Sequence, residues 1–205
     1  MQKEKMKNRI FVVIGSLLLV VAVFSTCLFI HNKETDKRET DTIINELFPD
    51  TSTLEEEVSE ETVVATESPK QDIVLTNNYL GYIEFPSYGI KRLITTGTSK
   101  NILDKNLVGT LSVSANLDDE FGNIILAGHS TSNVFQKLHY MKVGDLIKIV
   151  THQSTYNYTI VSKNTIDKND MSYFKRIYDR KQLTLVTCKN NSKQRLIVIA
   201  ELRGN

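Results

Sequence analysis

From Ile10 to Ile30 the chain runs 21 residues without a charge, and no other stretch constrains the fold as strongly. As a helix it would span about 31 Å, the thickness of a bilayer's hydrocarbon core. A single helix satisfies its own backbone in lipid, which an open strand cannot. Lys3, Lys5, Lys7 and Arg9 precede the run, and such basic flanks favour a cytoplasmic N-terminus. A cleavable leader would have a shorter apolar run and a small-residue cleavage site; neither is present. Phe24-Ser25-Thr26 before Cys27 is a poor match for a lipid-modified cysteine. The expectation is a basic cytoplasmic tail over 1–9, one uncleaved transmembrane anchor over 10–30, and the remainder outside the cell.

Charge divides the chain beyond the anchor. Residues 33–72 hold four basic and thirteen acidic side chains, a net charge of −9. Few aromatics and a high net charge cannot offset the entropy of ordering, so 31–72 reads as a flexible acidic stalk. Within it, Ile43 to Phe48 has enough apolar character for one helical turn or for docking, but a solvated stalk is the plainer reading. Residues 73–205 carry seventeen basic and ten acidic groups, a net charge of +7. The whole-chain net charge of +1 therefore describes no single part.

From about Ile73 the pattern becomes short apolar runs separated by turn residues. Strands are expected over Tyr79–Phe85, Lys91–Thr95, Leu107–Val113, Asn123–Gly128, Leu146–Thr151, Tyr156–Lys163, Leu183–Cys188 and Leu196–Leu202. Brief helices are expected through Leu103, over Val134–Tyr140 and over Ser172–Tyr178. Many short strands with little helix indicate a mainly β barrel or sandwich. Ile124 to Ala127 and Leu196 to Ala200 are apolar at every position, the mark of central strands covered on both faces.

Two cysteines exclude a disulfide scaffold. Cys27 lies in the anchor, so Cys188 has no partner for a disulfide. It ends an apolar strand and meets the polar turn Lys189-Asn190-Asn191-Ser192-Lys193-Gln194. Basic, polar surroundings favour the nucleophilic thiolate. Arg195 opens the next strand, where a hairpin would set it across from Cys188. A guanidinium there can hold a developing oxyanion. His129 leaves the central strand after Gly128, and histidine is the usual acid–base partner of a nucleophilic cysteine. His139 and His152 read as exposed surface groups. Taken singly, a buried thiol, a rim charge and a satisfied strand-end histidine are the plainer explanations.

In combination and order, these residues resemble the sortases, membrane-anchored cysteine transpeptidases of Gram-positive bacteria. The resemblance rests on Ala127-Gly128-His129, Thr184-Leu185-Val186-Thr187-Cys188, Arg195, and Gly81-Tyr82-Ile83-Glu84-Phe85-Pro86. It covers about 77–203 and implies a closed eight-stranded β-barrel with short helices as the catalytic domain, 73–205. It further implies His129, Cys188 and Arg195 as the catalytic set. Ala127, Thr184, Val186 and Thr187 become substrate-binding candidates, with Met171 to Tyr178 as a specificity wall.

The implied reaction is cleavage of an LPXTG-like sorting signal on exported proteins through a thioacyl-enzyme, then transfer to a peptidoglycan precursor amine. A wall-anchoring enzyme of the class A or class D type fits best. No metal, organic cofactor or nucleic acid is implied. Calcium at Asp118, Asp119 and Glu120, by analogy with some class A members, is weaker than a solvated turn. The rival is a non-enzymatic stalked β-barrel binding peptides or anionic wall polymers, which leaves the Cys, His and Arg without a shared role.

Overall fold

The computed structural model describes residues 2–49, 79–131 and 133–203. The chain divides into two compact units, Met1–Thr42 and Ile43–Asn205. Helix α1 covers Gln2–Leu47. From Leu17 to Ile30 its side chains face outward, with Leu17, Leu19, Phe24 and Phe29 each about two-thirds exposed. An apolar cylinder of this kind is unfavourable in water and fits a single membrane span.

Residues 31–47, read from sequence as stalk, are helical. Once the apolar segment has nucleated a helix, each added residue costs little. Glu34 and Arg38 lie four apart, a spacing that supports the continuation. The Ile43–Phe48 segment docks in its own unit, where Ile44 and Phe48 are buried with Tyr82 and Leu93. Phe48 stacks on His152 at 4.3 Å and meets Tyr82 edge-on at 5.7 Å. The rest of the expected stalk, and the domain's expected start at Ile73, lie outside the described residues.

The second unit is a closed barrel of eight strands. They are β1 (Tyr79–Phe85), β2 (Ile90–Thr96), β3 (Val108–Thr110), β4 (Gly122–Ala127), β5 (Leu146–Val150), β6 (Thr155–Asp167), β7 (Lys181–Lys189) and β8 (Gln194–Leu202). Around the barrel the order is β1-β2-β3-β4-β7-β8-β6-β5. Two pairings are parallel, β2 with β3 and β4 with β7. Parallel neighbours need a crossover. The one-turn helix α2 (Lys100–Leu103) supplies the first, and β5 with β6 supplies the second.

Period-two alternation assigns the faces. Ile124, Leu126, Leu183, Leu185, Leu196 and Val198 point into the barrel with Phe85, Phe135 and Tyr158. Ile125, Val186, Ile197 and Ile199 point outward. That outer face is covered by Tyr173 and Phe174 of the β6–β7 connection, so the central strands are apolar on both sides.

Three expectations change. The Leu107–Val113 strand is only three residues long as β3. Val134–Tyr140 closes as a 3-10 turn over Gln136–His139. Ser172–Tyr178 is not helical. Asn123 donates its amide hydrogens to the carbonyls of Tyr173 and Lys175, at 3.2 and 3.0 Å, tying those carbonyls to β4. Tertiary bonding overrides local propensity there.

Candidate active site

On β7 the inward residues are Leu183, Leu185 and Thr187, so Thr184, Val186 and Cys188 share the outer face. Antiparallel pairing sets Cys188 directly across from Arg195. Lys189 and Gln194 form the last pair, leaving a four-residue turn. Asn190, Asn191 and Ser192 all adopt positive φ, 50°, 50° and 67°. That is common for Asn and unfavourable for Ser. The turn is braced by an Asn190–Gln194 side-chain hydrogen bond. Arg195 Nη1 donates to the carbonyls of Ser192 (3.0 Å) and Gln194 (3.1 Å).

His129 comes from the neighbouring parallel strand. Ala127 is the register partner of Val186. Two residues beyond that pair stand His129, past the end of β4, and Cys188, still on β7. Gly128 N–H donates to Val186 O at 3.2 Å and the Thr187 hydroxyl to Gly128 O at 2.8 Å, so the exit arm is pinned. A Cβ on Gly128 would lie 2.8 Å from a Val134 side-chain atom and 2.9 Å from one of Phe135, so a larger residue would force a shift there. His129 O accepts from Phe135 N–H at 2.9 Å. The imidazole Nε2 lies 3.1 Å from Asp104 Oδ1.

Asp104 is invisible to sequence reasoning, because α2 and the β4 exit are 25 residues apart and no local pattern links them. Its carboxyl is held below the ordinary carboxylate range by bonds to Lys100 and His129. His139, expected as a surface group, belongs instead to the rim of the site. Its Nε2 lies 3.1 Å from Ser130 Oγ. Burial, then Lys189 and Lys163, push its pKa down, which favours the neutral ring. His139, Ser130 and Cys188 line one cleft of about 490 Å³ with the Asn190–Ser192 turn.

The substrate-binding candidates separate. Val186 and Ala127 lie on the outer apolar face with Tyr173 and Phe174. Thr184 is fully buried and donates its hydroxyl to Asn123 Oδ1 at 2.6 Å. Thr187 is buried and bonded to Gly128. Both threonines are thus occupied in joining strands and present no surface to a ligand. On the candidate wall, Met171 and Tyr178 are exposed while Tyr173 and Phe174 pack on the barrel.

Two of the three carboxylates weighed for calcium already accept hydrogen bonds within the protein. Asp118 Oδ1 accepts from Thr151 Oγ1 (2.7 Å) and Tyr156 OH (3.0 Å). Asp119 accepts from the Asn116 backbone and side chain. Among the described residues no group of three or more His, Cys, Asp or Glu is arranged for a metal ion.

Comparison with known proteins agrees with this architecture. The Sortase domain model matches residues 83–203. Sortase D of Bacillus subtilis is 30% identical over 113 residues, 55% of this chain and 56% of that protein. Sortase A of Listeria monocytogenes is 29% identical over 128 residues, 60% of this chain and 56% of its own length. The chain thus spans just over half the length of these relatives. Among solved structures, the Clostridium perfringens Sortase D5 transpeptidase is 31% identical with a TM-score of 0.57, covering 62% of this chain and 79% of that one. Sortase C1 of Streptococcus agalactiae is 29% identical with a TM-score of 0.58, covering 62% and 69%. A domain match running from within β1 to the end of β8, over more than half of the chain, makes this protein a member of the sortase family.

Proposed function

We propose that this sortase is a single-pass membrane cysteine transpeptidase acting on LPXTG-like sorting signals of exported proteins. The observation that carries the reading is the register itself: Cys188 faces Arg195 across β7–β8, and His129 follows the β4 segment paired with β7. That register supports a site in which thiol, guanidinium and imidazole act together.

In this reading the Cys188 thiolate attacks the scissile Thr–Gly carbonyl, and Arg195 holds the oxygen as it gains charge. His129 protonates the departing amine as the C–N bond breaks, leaving a thioester. It then takes a proton from the incoming peptidoglycan precursor amine, which attacks the thioester and releases the thiolate. The segment carrying Tyr173 and Phe174, packed on Ala127 and Val186, would flank the peptide's apolar residues. The basic flank before the anchor keeps the N-terminus cytoplasmic and the barrel outside.

The test is mass spectrometry of the full chain in detergent with an LPXTG-type peptide. The expected product is an acyl adduct on Cys188 that an added amine releases as a new amide. Transfer by the Cys188→Ala variant would defeat the mechanism.

A further inference from the structure

The chain from Thr98 to Asn106 makes a single helical turn and ends at Asn106 with φ 58°. Asp104 caps its C-terminal end, where its N–H returns to Lys100 O at 2.9 Å. A carboxylate gains nothing from a helix C-terminus; its local partner is Lys100, four residues back. A second partner comes from a distant element. One carboxylate oxygen takes Lys100 Nζ and the other takes His129 Nε2.

The support is rigid. A Cβ on Gly109 of β3 would sit 1.9 Å from Gly97 O. The β2–α2 connection therefore lies against β3 with no room to slide. Gly97 N–H also approaches Thr110 Oγ1 at 3.4 Å. The turn carrying Asp104 is thus fixed to the strand beside β4, from which His129 emerges.

We infer that Asp104 is the positioning residue for His129, fixing the ring's tautomer and orientation, and that Lys100 fixes the Asp104 carboxylate in turn. This rests on the transpeptidase reading. A carboxylate only accepts hydrogen bonds, so His129 carries its proton on Nε2 when neutral and its lone pair is on Nδ1. Both proton transfers of the reaction, to the leaving amine and from the acceptor amine, then pass through Nδ1. Without the carboxylate the ring exchanges tautomers and rotates, and only part of the population is competent. Orientation of a catalytic base by a third group is a recurring device, supplied here by an element far from His129 in sequence. Lys100 and His129 hold Asp104 below the usual carboxylate range, which favours the ionised acceptor.

The experiment uses the full chain in detergent. Long-range 1H–15N spectra of the wild type, with histidine labelled, read which ring nitrogen of His129 carries the proton. Nε2–H is expected; a predominant Nδ1–H form would overturn the inference. In parallel, Asp104→Ala, Asp104→Asn and Asp104→Glu are assayed for peptide transfer to an amine. Asp104→Ala should lower kcat about tenfold or more, with the peptide KM within about twofold of wild type. Asp104→Asn keeps an accepting oxygen and should recover part of the loss. Undiminished or raised kcat in Asp104→Ala, or a loss confined to KM, would overturn it. A wild type that forms no thioester would defeat the transpeptidase reading, and the ring-nitrogen spectra would still decide the role of Asp104.

Discussion

Cys188 and Arg195 are register partners across the β7–β8 hairpin, yet the Nη1 of Arg195 is held by its own turn, at the carbonyls of Ser192 and Gln194. A guanidinium has five N–H donors in a fixed fork. Binding the turn through Nη1 orients the fork and leaves other donors for a substrate oxygen. Lysine keeps the charge and loses that geometry. Arg195→Lys should lower kcat for peptide transfer about a hundredfold, the scale of a lost oxyanion donor. Iodoacetamide labelling of Cys188 in the same variant checks that the thiol remains accessible. Wild-type turnover would remove Arg195 from the reaction.

Asn123 is buried and fully bonded. Its amide holds the Tyr173 and Lys175 carbonyls, and its oxygen accepts from Thr184 and Gln182. It therefore joins the centre of the barrel to the wall of the apolar face. Asn123→Leu strands several buried polar groups, each costing about 1–3 kcal/mol. The expected result is a lower Tm and a peptide KM several-fold higher, with Cys188 alkylation by a small reagent unchanged. An unchanged KM would show that the Met171–Tyr178 wall takes no part in binding.

The strand pattern is legible in the sequence because alternating and continuous apolar runs report burial directly. Tyr79–Phe85 is a strand with the bounds the sequence implies, and Cys188 and Arg195 are recognisable because a short polar turn between two apolar runs implies a hairpin. Contacts made at a distance are not legible. Asp104 and His139 reach the site from α2 and from the 3-10 turn before β5, and no local spacing marks either. Thr184 and Val186 look alike in a sequence run; only the contacts each makes separate a strand tie from a member of the outer apolar cluster. The helix through Leu47 is hidden because an acidic composition argues for disorder, while an adjoining apolar helix supplies the nucleus.

Gly128 sets the direction of the arm that carries His129. A methyl group there meets Val134 and Phe135 well inside contact distance. Overpacking of this kind costs about 1–3 kcal/mol, and the strain is relieved by moving either the 3-10 turn or the arm. Gly128→Ala should lower Tm by several degrees, and kcat should fall with it. A variant with wild-type Tm and kcat would show that the arm has slack.

His139 gives the protein a pH dependence whose sign is set by its surroundings. Burial disfavours the charged ring; Lys189 and Lys163 repel it, and only the Cys188 backbone favours it. The folded-state pKa therefore lies below the ordinary 6.5. As pH falls below about 6.5, the unfolded chain takes up a proton that the folded chain refuses, so stability drops. The contribution is complete above that value and is lost toward the lower folded pKa. Lys163 is also shifted downward by burial, and both proteins compared below carry it. Thermal unfolding at pH 7.5, 6.0 and 5.0 should show wild type losing more Tm than His139→Gln, which cannot titrate. Equal losses in the two proteins would mean that His139 ionises as freely in the fold as in the unfolded chain.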